Sequence, residues 1–106
     1  MGVIKGVLKE ELSSAKAMKK DYERALKKYP GGSFIRKEIR GHKYYYLAVR
    51  EGDKVRFIYK GKKLSKSDWQ DLKESREMRK KYKELIGKLH KRIIYLEKIL
   101  RGKENV

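Results

Sequence analysis

The sequence predicts an α+β fold: an N-terminal helix, a three-stranded antiparallel meander and a long C-terminal helix with a coiled-coil-like seam. Three observations predict it. Residues 35–61 hold three short runs rich in β-branched and aromatic side chains, parted by glycine turns at Gly41 and Gly52. Ahead of them, apolar residues recur at steps of three and four, as one helix face requires. Behind them that period returns and continues without a proline to about Arg101. A length of 106 residues, with no internal repeat or linker, indicates one domain over 1–106.

The first helix is expected over about residues 4–29. Ile4, Leu8, Leu12, Ala15, Met18, Tyr22, Leu26 and Tyr29 form its stripe, and lysines and glutamates fill the other side. Pro30-Gly31-Gly32 ends it, because proline biases the preceding residue away from helical angles.

Strands are expected at about 34–40, 43–50 and 54–60. Register decides what each face carries, since a slip of one residue turns every side chain over. A two-residue Gly52-Asp53 turn sets Val49 opposite Arg56; a three-residue Glu51-Gly52-Asp53 turn sets Val49 opposite Val55 and Leu47 opposite Phe57. Hydrophobic matching favours the second, and likewise a three-residue Gly41-His42-Lys43 turn. One face then collects Ile35, Ile39, Tyr45, Leu47, Val49, Val55, Phe57 and Tyr59. The other collects Arg36, Arg40, Tyr44, Tyr46, Arg56 and Lys60. Tyr45 is thus expected in the core, with Tyr44 and Tyr46 outside.

The last helix is expected over about 66–101, with Gly102 as its stop and 102–106 as a frayed tail. Ser65 is the expected N-cap, with Asp68 three residues on as its reciprocal partner and Ser67 as the alternative cap. From Tyr82 the apolar steps run through Ile86, Leu89, Ile93, Leu96 and Leu100 at heptad-like spacing. These six residues are the expected homodimer seam. Gly87 marks either a close helix approach or a tolerated cost.

Charge limits the partners. The net charge is +17, and residues 34–63 carry 10 basic against 3 acidic side chains, a net of +7. Such an excess favours polyanions. There is no cysteine, which excludes disulfide scaffolds, thiol nucleophiles and thiolate metal sites. No run of about 18 apolar residues exists to span a bilayer. Lys9, Glu10 and Glu11 interrupt any signal-peptide core, so the expected location is cytoplasmic. Scarce Asn and Gln beside abundant Lys and Glu follow a thermophile pattern.

Catalysis has little support. His42 and His90 are the only histidines, and neither has a partner at metal-ligand spacing. Gly31-Gly32 follows a helix rather than a strand and no Gly-Lys-Ser follows, so nucleotide binding is not expected. No cofactor, metal or small-molecule substrate is expected.

The run from Ile39 through Arg40-Gly41-His42-Lys43-Tyr44-Tyr45-Tyr46-Leu47, then Arg50-Glu51-Gly52-Asp53-Lys54-Val55 and Tyr59-Lys60-Gly61-Lys62, resembles a family of short, uncharacterised prokaryotic and archaeal proteins. That resemblance implies a helix, a central hairpin region and a charged C-terminal helix, and an association of some members with mobile elements. It implies no activity. The order of strands and helix also resembles, in layout, the arm-binding N-terminal domains of phage-type tyrosine recombinases, which read DNA with a three-stranded sheet.

The expected function is therefore non-catalytic nucleic-acid binding, DNA ahead of RNA, through Arg36, Arg40, Lys43, Tyr44, Tyr46, Arg56 and Lys60. Arginines would meet phosphates or guanine edges, and tyrosines would meet sugars or stack on bases. The alternative is a protein-interaction module working through the helical seam. The bland reading of the face is ordinary cross-strand pairing on an exposed sheet.

Overall fold

A computed structural model describes residues 2–104 of the chain. Its elements follow the order α1 (Gly2–Leu26), β1 (Ser33–Ile39), β2 (His42–Glu51), β3 (Lys54–Gly61) and α2 (Lys66–Glu104). The three strands form one antiparallel sheet in the order β1-β2-β3, so the α+β layout stands. α1 ends at Leu26, which leaves Tyr29 outside the helix, and α2 continues past Gly102 to Glu104. Of the tail, residues 105 and 106 lie outside the described residues. The described residues form two compact units, one of residues 27–80 and one of residues 2–26 with 81–104. α2 runs unbroken through both.

In the helical unit, α1 lies antiparallel to the second half of α2. Glu11 accepts from Arg92 at 2.7 Å, the Lys16 ammonium is 3.4 Å from Glu97, and the Tyr22 and Tyr82 rings have centroids 5.8 Å apart. Ala15, Ile93, Leu96 and Leu100 are buried here. Tyr82, Ile86 and Leu89 are half-buried. The stripe expected to meet a second copy thus already has α1 of the same chain as its occupant. The cause is the length of α1: its own three-and-four stripe runs beside the stripe of α2 for several turns. Nothing lies within 4 Å of a Cβ built on Gly87, so that glycine marks no close approach.

In the sheet unit, register departs from the expectation. Ile39 pairs with His42, and Glu51 pairs with Lys54. Both hairpins therefore turn on two residues, Arg40-Gly41 and Gly52-Asp53, not three. Arg40 and Gly41 both have positive φ (53° and 79°), as a type I′ turn requires. Gly52 has φ 62° at the first turn position, the place glycine holds in type II′. These two turn types match the natural twist of a hairpin, and here that match outweighs the pairing of apolar with apolar residues. Val49 faces Arg56 and Leu47 faces Ile58.

One sheet face packs on the start of α2. Val49 is fully buried, Leu72 is nearly so, and the Phe34 and Trp69 rings meet edge to face at 4.8 Å. The Gly31-Gly32 turn fits beneath this layer. A Cβ on Gly32 would stand 2.6 Å from the Ala48 carbonyl oxygen, and its φ of 112° is one that side chains rarely adopt. α2 grips the turn from its own side. Arg76 donates to the Gly32 carbonyl through Nε (3.2 Å) and Nη2 (2.7 Å), and Gly31 N–H donates to Ser75 Oγ at 3.2 Å.

The start of α2 is the capping box expected at Ser65. Asp68 N–H donates to Ser65 Oγ at 3.1 Å, and Ser65 N–H donates to Asp68 Oδ2 at 2.9 Å. The backbone N–H of Ser65, and then its hydroxyl, hold the Asp68 carboxyl below the ordinary aspartate range.

Candidate functional site

The two-residue turns determine the sheet's open face. Directly paired residues share a face, so Ile35, Lys37 and Ile39 join His42, Tyr44, Tyr46, Ala48 and Arg50, and these join Val55, Phe57 and Tyr59. The face turned to α2 holds Phe34, Arg36, Glu38, Lys43, Tyr45, Leu47, Val49 and Arg56. Relative to the expectation, the central strand keeps its sides and both outer strands are turned over.

Of the seven residues expected to bind nucleic acid, the open face carries two, Tyr44 and Tyr46. Arg36, Lys43 and Arg56 stand on the opposite face, and Arg56 Nε is 3.1 Å from Glu51 Oε1. Arg40 occupies the first turn. Lys60 is the extra residue of a β-bulge: Tyr46 pairs with Tyr59 while Tyr45 pairs with Gly61. It lines a small depression with Phe34, Leu47 and Asp68.

What the open face gains is aromatic. Phe57 and Tyr59, expected on the apolar face with Leu47 and Val49, are 48% and 55% exposed. The Tyr46 and Tyr59 centroids lie 5.4 Å apart at an interplanar angle of 55°, and those of Tyr44 and Tyr59 lie 6.3 Å apart at 53°. His42 adds a fifth ring, 6.4 Å from Tyr44. Lys37 lies over this array, its Nζ 5.1 Å from the Tyr46 centroid and 4.3 Å from that of Phe57. Ile39 and Val55, about half exposed, extend the apolar area. Lys37, Phe57 and Tyr59 are the residues that sequence reasoning missed. The positive-φ demand at Gly41 and Gly52 was the signal that would have placed them.

Among the described residues, no group of three or more His, Asp or Glu side chains is placed to hold a metal ion. His90 stands with its Nδ1 3.4 Å from the Lys19 ammonium. Among the described residues, no helix is long and apolar enough to cross a membrane.

Residues 7–68 match the family described as a domain of unknown function, DUF6788. The chain belongs to this family. The DUF6788 match takes in most of α1, the whole meander and the capping box of α2, so it contains every residue of the open face. No curated protein and no solved structure matches the chain.

Proposed function

We propose that the chain is a non-catalytic nucleic-acid-binding module, with DNA its favoured partner, working through the open face of its sheet. The observation that carries this reading is the array of Tyr44, Tyr46, Phe57 and Tyr59 with Lys37 among them. Exposed rings are costly to leave in water, and a cluster of them on one face suits a partner with flat apolar surfaces. The net charge of +17 supplies long-range attraction for a polyanion. The layout resemblance to recombinase arm-binding domains, and the mobile-element association implied by the family resemblance, favour DNA and a cytoplasmic setting.

A protein-interaction role through the helical seam is the weaker reading, because Ile93, Leu96 and Leu100 are already buried within the chain.

The test is a salt-titrated binding assay against duplex DNA, single-stranded DNA and RNA. Affinity is expected to fall steeply with salt, as counterion release requires. Replacing Lys37 and Phe57 together should weaken binding far more than reversing the charge of Lys9, Lys20 and Lys73. Equal loss from both sets would reduce the interaction to net charge alone, and no binding at low salt would remove the proposal.

A further inference from the structure

We infer that the open face takes an unpaired strand, its bases lying on the rings, and not a duplex; this rests on the nucleic-acid reading above. The face is rich in stacking platforms and poor in groups that read base edges. Groove recognition relies on forked donors such as arginine. Two of the sheet's arginines, Arg36 and Arg56, point the other way, and Arg56 is held by Glu51. Arg50, on the open face, has its Nε 3.3 Å from the Gly52 carbonyl oxygen. In a duplex the flat faces of the bases are covered by their neighbours. Only an unpaired strand offers those faces to Tyr44, Tyr46, Phe57 and Tyr59.

Spacing points the same way. Tyr44 and Tyr46, like Phe57 and Tyr59, stand two residues apart on one strand, which is about 6.8 Å. That is roughly twice the 3.4 Å rise of stacked bases. Bases seated on neighbouring rings are therefore drawn off one another, which a flexible single strand allows. Ala48, paired with Phe57 on one side and Ser33 on the other, puts only a methyl group beside the rings.

Lys37 has a defined part in this arrangement. Its ammonium occupies the ring surfaces of Tyr46 and Phe57. A base arriving there displaces it, and a side chain already within 4.3 Å of the Phe57 centroid is close enough to meet the phosphate of the same nucleotide. The cation thus passes from a ring to a phosphate, exchanging one electrostatic partner for a stronger one.

The experiment uses the full chain and labelled oligo(dT), oligo(U) and a mixed-sequence duplex, each about 12 units long, within the usual footprint of such surfaces. At equal salt, at least one single strand is expected to bind about 10-fold more tightly than the duplex. Phe57→Leu and Tyr46→Leu should each lower single-strand affinity by roughly 5- to 100-fold, the range expected for one lost stacking partner, and lower duplex affinity much less. Tyr46→Phe, which keeps the ring, should bind as the parent does. Phe57→Trp supplies a second readout at an exposed position: its emission should be quenched by the single strand and not by the duplex. Duplex binding as tight as single-strand binding, or equal loss of both in the leucine variants, overturns the single-strand inference and leaves nucleic-acid binding standing. No binding to any of the three overturns both. If only oligo(dT) or only oligo(U) binds, the inference holds and the sugar chemistry is identified.

Discussion

Lys37 of β1 reaches across the central strand to Phe57 of β3, its ammonium 4.3 Å from the ring centroid. The contact ties the two edge strands together beside Tyr46 of the central strand, whose ring centroid lies 5.1 Å from the same ammonium. A cation over an exposed ring contributes about 0.5–1 kcal/mol. A double-mutant cycle of Lys37→Met and Phe57→Leu, read by chemical denaturation, should give a coupling of that size. A coupling near zero would mean that the lysine lies over the ring without being held by it.

The two glycines that matter most should respond in opposite directions. Gly32→Ala forces a methyl to within 2.6 Å of the Ala48 carbonyl oxygen at a φ of 112°. It should destabilise by more than about 2 kcal/mol, since backbone strain and steric overlap combine. Gly87→Ala meets open space in the interior of α2 and should stabilise by about 1 kcal/mol. Thermal melts of the two variants beside the parent decide both.

The seam of α2 should behave as core, not as interface. Leu96 is 3% exposed within a single chain. Leu96→Ala should cost about 2–5 kcal/mol, and the parent's midpoint should be the same at every protein concentration. A midpoint that rises with concentration would show that a second copy supplies part of the burial.

The capping box gives a pH signature. The folded-state pKa of Asp68 lies below its unfolded value, so the native state favours the carboxylate. Its contribution is full above the ordinary aspartate value and is lost as pH falls through the lowered folded value. Ser65→Ala keeps the backbone N–H that chiefly lowers this pKa, removes the hydroxyl that lowers it further and removes the cap acceptor of the Asp68 N–H, and should cost about 1 kcal/mol at neutral pH. The gap between the denaturation midpoints of parent and variant should therefore narrow, without closing, as the solution is acidified toward about pH 2, because the hydroxyl–carboxylate bond is lost and the bond from the Asp68 N–H to the hydroxyl is not. A gap that stays constant would rule out the Asp68 link.

Much of the fold was legible because it rests on local rules. The stripe from Leu8 to Leu26, the stop at Pro30, the Ser65–Asp68 cap and three strands with short turns all follow from spacing and residue type. The faces of the sheet were not legible by the same rules. In β3 the alternate set Val55, Phe57 and Tyr59 is more apolar than Arg56 and Ile58, and hydrophobicity alone sends it inward. Each of the three is nevertheless about half exposed. The choice was made at the turns, where positive φ at Gly41 and Gly52 selects two-residue hairpins. The candidate site was legible to the extent of Tyr44 and Tyr46, which lie on the strand whose sides did not change.

Arg40 should be the easiest place to strengthen that register. It holds φ 53°, a value that costs most side chains, while asparagine tolerates it. Arg40→Asn creates the Asn-Gly pair favoured in type I′ turns and should raise stability by up to about 1 kcal/mol. Urea denaturation checks it, and a loss of stability would show that the arginine side chain supplies something its backbone strain conceals.

Turns of two residues also bear on how this surface can change over time. Substituting residues one by one alters the open face a ring at a time. Lengthening the Gly52-Asp53 hairpin by a single residue would instead rotate all of β3, hiding Phe57 and Tyr59 and presenting Arg56 and Ile58. One added residue would therefore exchange half of the aromatic array for a cationic and aliphatic strip in a single step, with Tyr44 and Tyr46 left in place on the central strand.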